Sequence, residues 1–250
     1  MTRQRLQKLI ASAGLCSRRR AEVWLQAGRV TVDGQVSRVG DQADPLRQTI
    51  RVDGKELPIR KAARVLLLNK PVGVICSCND PQGRPTVLDL LPPAHRAGLH
   101  PVGRLDADSR GALLLTDLGE LTLKLTHPRF SHTKTYRVWV EGVPSEAVLD
   151  RWRRGLLLDG RRTRPAQVRL LRSRGGRSLL EIELREGRNR QIRRVAEALG
   201  HPVLDLQRTA ISGLSLGDLA EGCWMWLGEG EWKPLLERAD PLDRTHSPCD

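Results

Sequence analysis

Apolar residues recur at helical spacing near the start of the chain and at strand spacing through much of the rest. Leu6, Leu9 and Ile10 form a helical stripe that Gly14 interrupts. Ser17 is placed to cap a second helix, with Ala21, Trp24 and Leu25 on one face and Gly28 at its end. Val30 to Val36 reads as two strands around an Asp33-Gly34 turn, and Thr49 to Val52 runs into a second such turn at Asp53-Gly54. Residues 56–63 read as a linker. A strand starts at Val65, and the loop 79–85 is rich in turn residues. Residues 87–91 predict a short helix ended by Pro92-Pro93, and the apolar run 112–115 is the end of a helix or of a strand. Thr135 to Val140 alternates, with Tyr136, Val138 and Val140 on one face, as a strand does. Ser145 is placed to cap a helix that runs through Trp152, and Leu179 to Leu184 predicts a strand. Asn189 to Leu199 predicts a helix with Ile192, Val195, Ala196 and Leu199 inward. Gly200 and His201-Pro202 stop it before a strand over Val203 to Leu206. Many strands and few helices predict an α+β fold with a mainly antiparallel mixed sheet. The expected division is a small αβ module over 1–61, a larger domain over 62–238 and a polar, disordered tail over 239–250.

Charge changes this picture. The 250 residues carry a net charge of +13, which points to a polyanionic partner, nucleic acid before an anionic membrane. No apolar run approaches the ~20 residues that span a bilayer. The polar start, with no apolar signal core, implies a cytoplasmic protein and no membrane partner. The first 61 residues hold thirteen Lys or Arg against six Asp or Glu, so the basic excess begins in the small module. Arg3, Arg5, Lys8, Arg18, Arg19 and Arg20 cluster on or before its helices. A solvated helix face would look the same. However, three arginines in the first turn of a helix oppose its dipole, and that cost points to a phosphate partner.

The cysteines, at 16, 76, 78, 223 and 249, are odd in number and scattered, so neither a disulfide framework nor a zinc site is expected. The histidines show no metal spacing. With six Trp, one Phe and one Tyr in the chain, nucleic-acid binding should depend on Arg and Lys more than on aromatic stacking.

The richest segment is Gly103 to Asp117, where Asp106 sits between arginines in a polar turn directly before an apolar run. A carboxylate buried beside cations stays ionised and can serve as nucleophile or base. Asp108 is the rival carboxylate, and it also fits a role in capping the next turn. Tyr136 fits a plain core position as well as a functional one. As the only tyrosine, it would need a partner for a buried hydroxyl.

Four separated pieces of the chain resemble one family. They are Gly103-Arg104-Leu105-Asp106 with Ser109-Arg110-Gly111, then Lys134-Thr135-Tyr136, then Glu186 to Arg194, and more weakly Asn69 to Gly73. Their order and character resemble the pseudouridine synthases that act on small- and large-subunit ribosomal RNA. Arg5 to Ile10, Ser17 to Arg20 and Gly28 to Gly34 resemble an S4 RNA-binding domain. Together these matches cover roughly residues 3 to 230.

The resemblance implies that Asp106 is the catalytic aspartate, that Tyr136 packs on the uracil, and that Arg193 pairs with the aspartate. It implies RNA-phosphate contacts by Arg104, Arg188 and Arg190, alongside Arg5, Lys8, Arg18, Arg19 and Arg20 of the S4-like module. The implied reaction breaks N1–C1′, turns the uracil and joins C5 to C1′, with Asp106 acting at C1′, at C6 or on the C2′ proton. No redox change occurs, so no cofactor and no metal are expected. The implied partner is ribosomal RNA, 23S before 16S, free or in a ribosomal-subunit assembly intermediate, and a monomer is expected. A non-catalytic RNA-binding or ribosome-assembly protein is the alternative. A glycosidic-bond hydrolase would call for a second carboxylate opposite Asp106, which is not evident.

Overall fold

Helices α1 (Leu6–Ser12) and α2 (Arg18–Gln26) lie against four short strands, β1 (Val30–Val32), β2 (Gln35–Val36), β3 (Ile50–Val52) and β4 (Lys55–Glu56). This computed structural model describes residues 3–58 and 62–237. Ser17 caps α2, its hydroxyl accepting from the Arg20 amide at 3.2 Å. The strands pair antiparallel in the order β2-β1-β3-β4. Leu6, Ile10, Ala21, Leu25, Val30 and Ile50 are among the buried residues of this unit's own apolar cluster. Ordered structure enters the expected linker, because Glu56 pairs with Arg51 and Leu57 is buried in that cluster. Residues 59–61 of the linker, the expected tail 239–250 and Cys249 lie outside the described residues.

The second part contains β5 (Val65–Lys70), β6 (Arg110–Thr116), α3 (Gly119–Thr126), β7 (Lys134–Glu141), α4 (Glu146–Arg154), β8 (Gln167–Arg174), β9 (Arg177–Leu184), α5 (Gln191–Ala198), β10 (Val203–Ile211) and β11 (Trp224–Trp226). Among the described residues these seven strands form the path β8-β9-β7-β10-β6-β5-β11 of one nine-stranded sheet, which His100–Pro101 beside β6 and Leu214–Ser215 beside β10 complete. Every pairing along this path is antiparallel except β10 with β6.

The central strands β5 and β6 are covered on both faces, which explains their continuous apolar runs. Leu66 and Leu68 face Leu115 and Leu113 in one cluster, while Val65 and Leu67 join Ala112 and Leu114 in the other. The run 112–115 is therefore strand, not helix. β7 is covered on one face, where Tyr136, Val138 and Val140 pack with Leu180 and Ile182 of β9 and with Ile192, Val195 and Ala196 of α5.

The helix expected over 87–91 is a series of turns. The Asp89 carboxylate accepts from the Thr86 amide and hydroxyl, both at 2.9 Å, and so competes with helical pairing. The helical turn falls instead at Pro93–Arg96, where a proline at the first position gives up no needed donor.

The β10–β6 junction is tight. A Cβ on Gly111 would lie 2.2 Å from the carbonyl oxygen of Arg208 and 2.7 Å from its amide nitrogen. Only glycine lets these two backbones meet, and its φ of +111° lies in the region that side chains disfavour. The two parts of the molecule also touch through backbone, since a Cβ on Gly14 would lie 3.0 Å from the Gly98 nitrogen. Among the described residues no helix is long and apolar enough to cross a membrane.

Candidate active site

The loop that leads into β6 carries Asp106 and is held from below. Lys70, at the end of β5, is fully buried, and its ammonium donates to the carbonyls of Ser109 (2.7 Å) and Pro71 (2.8 Å). The Gly73 amide donates to the Ala107 carbonyl at 2.8 Å, and the Leu105 amide to the Cys76 sulfur at 3.2 Å. Burial pushes the Lys70 ammonium below its ordinary range, against the charges of Cys76, Asp108, Asp106 and Glu221. Lys70 thus braces the loop.

From above, α5 presents two arginines. Arg190 precedes the helix in left-handed backbone, φ +47°, a costly conformation for a side chain other than glycine. Its guanidinium lies 2.9 Å from the Asp108 carboxylate and 3.6 Å from that of Asp106. Arg193 donates to the Asp108 carbonyl (2.8 Å) and the Ser109 hydroxyl (3.3 Å), and lies 3.4 Å from the Asp108 carboxylate. Burial works against the charged form of Asp108. The Arg190 hydrogen bond and the charges of Arg193 and Arg190 outweigh it and hold that carboxyl below the usual range.

Several expectations are corrected here. The ion pair of Arg193 is with Asp108, and Arg190 supplies the guanidinium nearest Asp106. Asp108 is an ion-pair partner and not a turn cap. Arg190 therefore engages carboxylates while its side chain stays 43% exposed. Arg188 is also turned inward, donating to the carbonyls of Arg161 (2.9 Å) and Arg162 (2.5 Å) and lying 3.3 Å from Glu186. Arg104 is exposed at the mouth of the site and has no ion pair among the described residues. Arg5, Lys8, Arg18, Arg19 and Arg20 are likewise exposed on the N-terminal unit, without an ion pair among the described residues.

Loop, sheet and α5 enclose a cavity of about 680 Å³ lined by Asp106, Tyr136 and Arg193 together. Tyr136 is 9% exposed and joins Leu105 and Ile192 in the apolar wall. The Asp106 side chain is 30% exposed, within reach of an entering ligand. Lys134, which the sequence places in a matching piece but gives no role, and Arg208, which it does not mark, line the same cavity. Lys134 could have been noticed, since it stands two residues before Tyr136 and so on the same strand face. Nothing local marks Arg208, which reaches the site only through the pairing of β10 with β7.

Residues 64–198 match the RNA pseudouridylate synthase family and residues 4–45 match the S4 domain. Among curated proteins, the chain is 39% identical over 240 residues to ribosomal large subunit pseudouridine synthase B of Bacillus subtilis (strain 168), covering 95% of this chain and 97% of the relative. It is 38% identical over 254 residues to the protein of the same name from Escherichia coli (strain K12), covering 98% and 86%. Among solved structures, a pseudouridylate synthase superposes with a TM-score of 0.67 at 30% identity, over 92% of this chain and 99% of the other.

Proposed function

The chain belongs to the RNA pseudouridylate synthase family, and from that premise we propose that it isomerises a uridine of large-subunit ribosomal RNA with Asp106 as the reacting carboxylate. The observation that carries this reading is that Asp106 and Tyr136, from different elements, line one cavity with a guanidinium 3.6 Å from the acid. About 680 Å³ lies within the range of small-ligand sites, roughly 300–1,000 Å³, and accommodates one flipped nucleotide.

The flipped uracil packs against Tyr136, because a base still stacked in RNA keeps C1′ and C5 out of reach. The Asp106 carboxylate then acts at C1′, at C6 or on the C2′ proton. The N1–C1′ bond breaks, the uracil turns, C5 bonds C1′, and the proton lost from C5 is balanced by one gained at N1. No atom is gained or lost overall. The walls around Tyr136 and Ile192 keep water from trapping the intermediate. Arg190 and Arg193 hold the loop and the charge beside the acid. Exposed Arg18, Arg19 and Arg20, with Arg5, Lys8 and Arg104, take the RNA backbone. The protein acts in the cytoplasm as a monomer, on ribosomal RNA or an assembly intermediate. In this reading an RNA-anchoring module spans 1–61 and a catalytic unit spans 62–238.

Ribosomal RNA carrying tritium at uridine C5 tests the reading, since joining C5 to C1′ expels that label. The wild-type protein should release tritium, and Asp106→Asn should bind the RNA and release none. Isomerisation retained by Asp106→Asn would sink the assignment.

A further inference from the structure

β7 and β10 pair so that Tyr136 stands opposite Arg208 and Lys134 opposite Ile211. Lys134 and Tyr136 are two apart on one strand and share its face. All four side chains line the cavity, so the tyrosine is flanked by two cations.

Those cations lack the partners that burial normally demands. Arg208 is 4% exposed; its Nε donates to the Ala112 carbonyl at 2.7 Å, and its Nη2 is buried without a hydrogen-bond partner. Lys134 donates to the His132 carbonyl at 3.1 Å, which uses one of its three donors. Neither makes an ion pair among the described residues. The carboxylates lining the same cavity are engaged elsewhere: Asp106 with Arg190, and Glu186 with Arg188, Gln191 and the Arg164 amide. Burial, and then the charge of Arg208, bring the Lys134 ammonium down to about 8. The wall behind the base is thus positive and, among the described residues, without a counter-ion.

We propose that Lys134 is a further catalytic residue whose ammonium, backed by Arg208, contacts a uracil carbonyl and stabilises the negative charge that builds on the ring during the reaction. This rests on the reading of Asp106 and Tyr136 given above. RNA offers such a cation two kinds of negative charge, a phosphate or the reacting base. The two cations flank Tyr136 on the buried sheet face, while Arg104 sits exposed at the mouth, so the base is the nearer partner. The chemistry supplies the charge by either route. When N1–C1′ breaks, its electron pair leaves with the uracil, as an anion shared by O2 and O4. C1′ is satisfied by a bond to the Asp106 carboxylate, or by losing the C2′ proton to it. If the carboxylate adds to C6 instead, the electron pair moves to O4 as an enolate. In each case the charge disappears when C5 has bonded C1′, the C5 proton has left, N1 has been protonated and Asp106 is free again: C5 displaces it from C1′, it returns the C2′ proton, or its bond to C6 breaks. A fixed donor placed where charge develops needs no rearrangement at the moment of reaction.

The test uses the full-length protein, single-turnover kinetics with saturating ribosomal RNA, and RNA affinity measured separately. Removing one such donor costs about 10²–10³ in rate, so Lys134→Met should lose about 100-fold in saturating rate and change RNA affinity less than about threefold. Lys134→Arg should recover part of the rate. An unchanged rate overturns the proposal, and so does a loss seen only in affinity, which would mark a phosphate contact. If Lys134→Met does not fold, the pH profiles decide. Wild type should slow as pH rises through about 8 while Lys134→Arg stays level, and parallel profiles would overturn it. Asp106→Asn is run alongside. If it stays active, the site reading fails; if it is dead while Lys134→Met is fully active, only this inference fails.

Discussion

Arg190 places its guanidinium 3.6 Å from the carboxylate of Asp106 while hydrogen-bonded to Asp108. It therefore links the carboxylates of Asp106 and Asp108 across the mouth of the cavity. The pair is partly solvated, so its charge effect is screened. Arg190→Met should lower the saturating rate about tenfold, less than the loss of a donor held inside the cavity. Single-turnover kinetics checks this, and an undiminished rate would remove Arg190 from the charge environment of Asp106.

Asp108→Asn separates the two carboxylates. It should leave tritium release within about tenfold of wild type, where Asp106→Asn abolishes it. Its effect on stability has a defined sign. The folded carboxyl of Asp108 titrates below its ordinary 3.8, so the unfolded chain takes up the proton first as pH falls. The stabilisation is complete above 3.8 and is lost as pH falls through the folded value. Melting curves of both proteins should differ near neutral pH, by less than about 1 kcal/mol for so exposed a pair, and converge in acid.

Gly111→Ala should be among the most damaging single substitutions. Its Cβ would meet the Arg208 backbone at 2.2 Å, and neither strand has room to retreat. A loss of more than about 3 kcal/mol is expected, on the scale of core clashes and forced backbone strain. Urea unfolding measures it, and a loss below about 1 kcal/mol would mean that the junction is looser than drawn.

Lys70→Met keeps the volume and removes the donors to Ser109 and Pro71. Two carbonyls lose their partner, at about 1–3 kcal/mol each, but the cost of burying an ammonium is also removed. Net stability should therefore change little, whereas activity should fall because the Asp106 loop is no longer braced. The pH dependence is a second readout. The folded ammonium gives up its proton below the ordinary 10.5, so the unfolded chain binds more protons in that window and stability from this group rises with pH up to 10.5. In Lys70→Met that rise should be reduced.

Replacing Arg18, Arg19 and Arg20 with glutamine tests the N-terminal unit. If all three meet phosphate, the slope of log K against log salt should flatten by roughly 2 to 3 units, at about 0.7–0.9 per contact. The folded state should be unaffected, since all three are exposed without an ion pair among the described residues. An unchanged salt slope would place RNA binding elsewhere.

Much of the fold was legible because its signals are local. The alternation at Tyr136, Val138 and Val140 marks a strand with one buried face, and the serines at 17 and 145 mark helix starts that the structure caps. Elements without a local signature were missed. The outer strand Gln167–Arg174 carries alternating polar residues and exposed leucines, so no clean apolar face announces it. Residues 87–91 carry apolar residues at spacing that suits a helix, but one carboxylate, Asp89, takes the donors of Thr86 and turns the chain.

Beside what the family resemblance implied for Asp106 and Tyr136, the order of residues along the chain was enough to determine the class of fold and the basic excess. Those properties depend on residue type and short-range spacing, which folding does not alter. Which guanidinium meets which carboxylate was decided only in three dimensions. Arg190 and Arg193 are three apart on or beside one helix, and from the left-handed turn Arg190 reaches both Asp108 and Asp106 while Arg193 stays on Asp108. The cations beside Tyr136, one buried and one half-buried, arise in the same way. Lys134 and Arg208 are far apart in sequence and become neighbours only through the register of β7 on β10, a long-range pairing that no local pattern encodes.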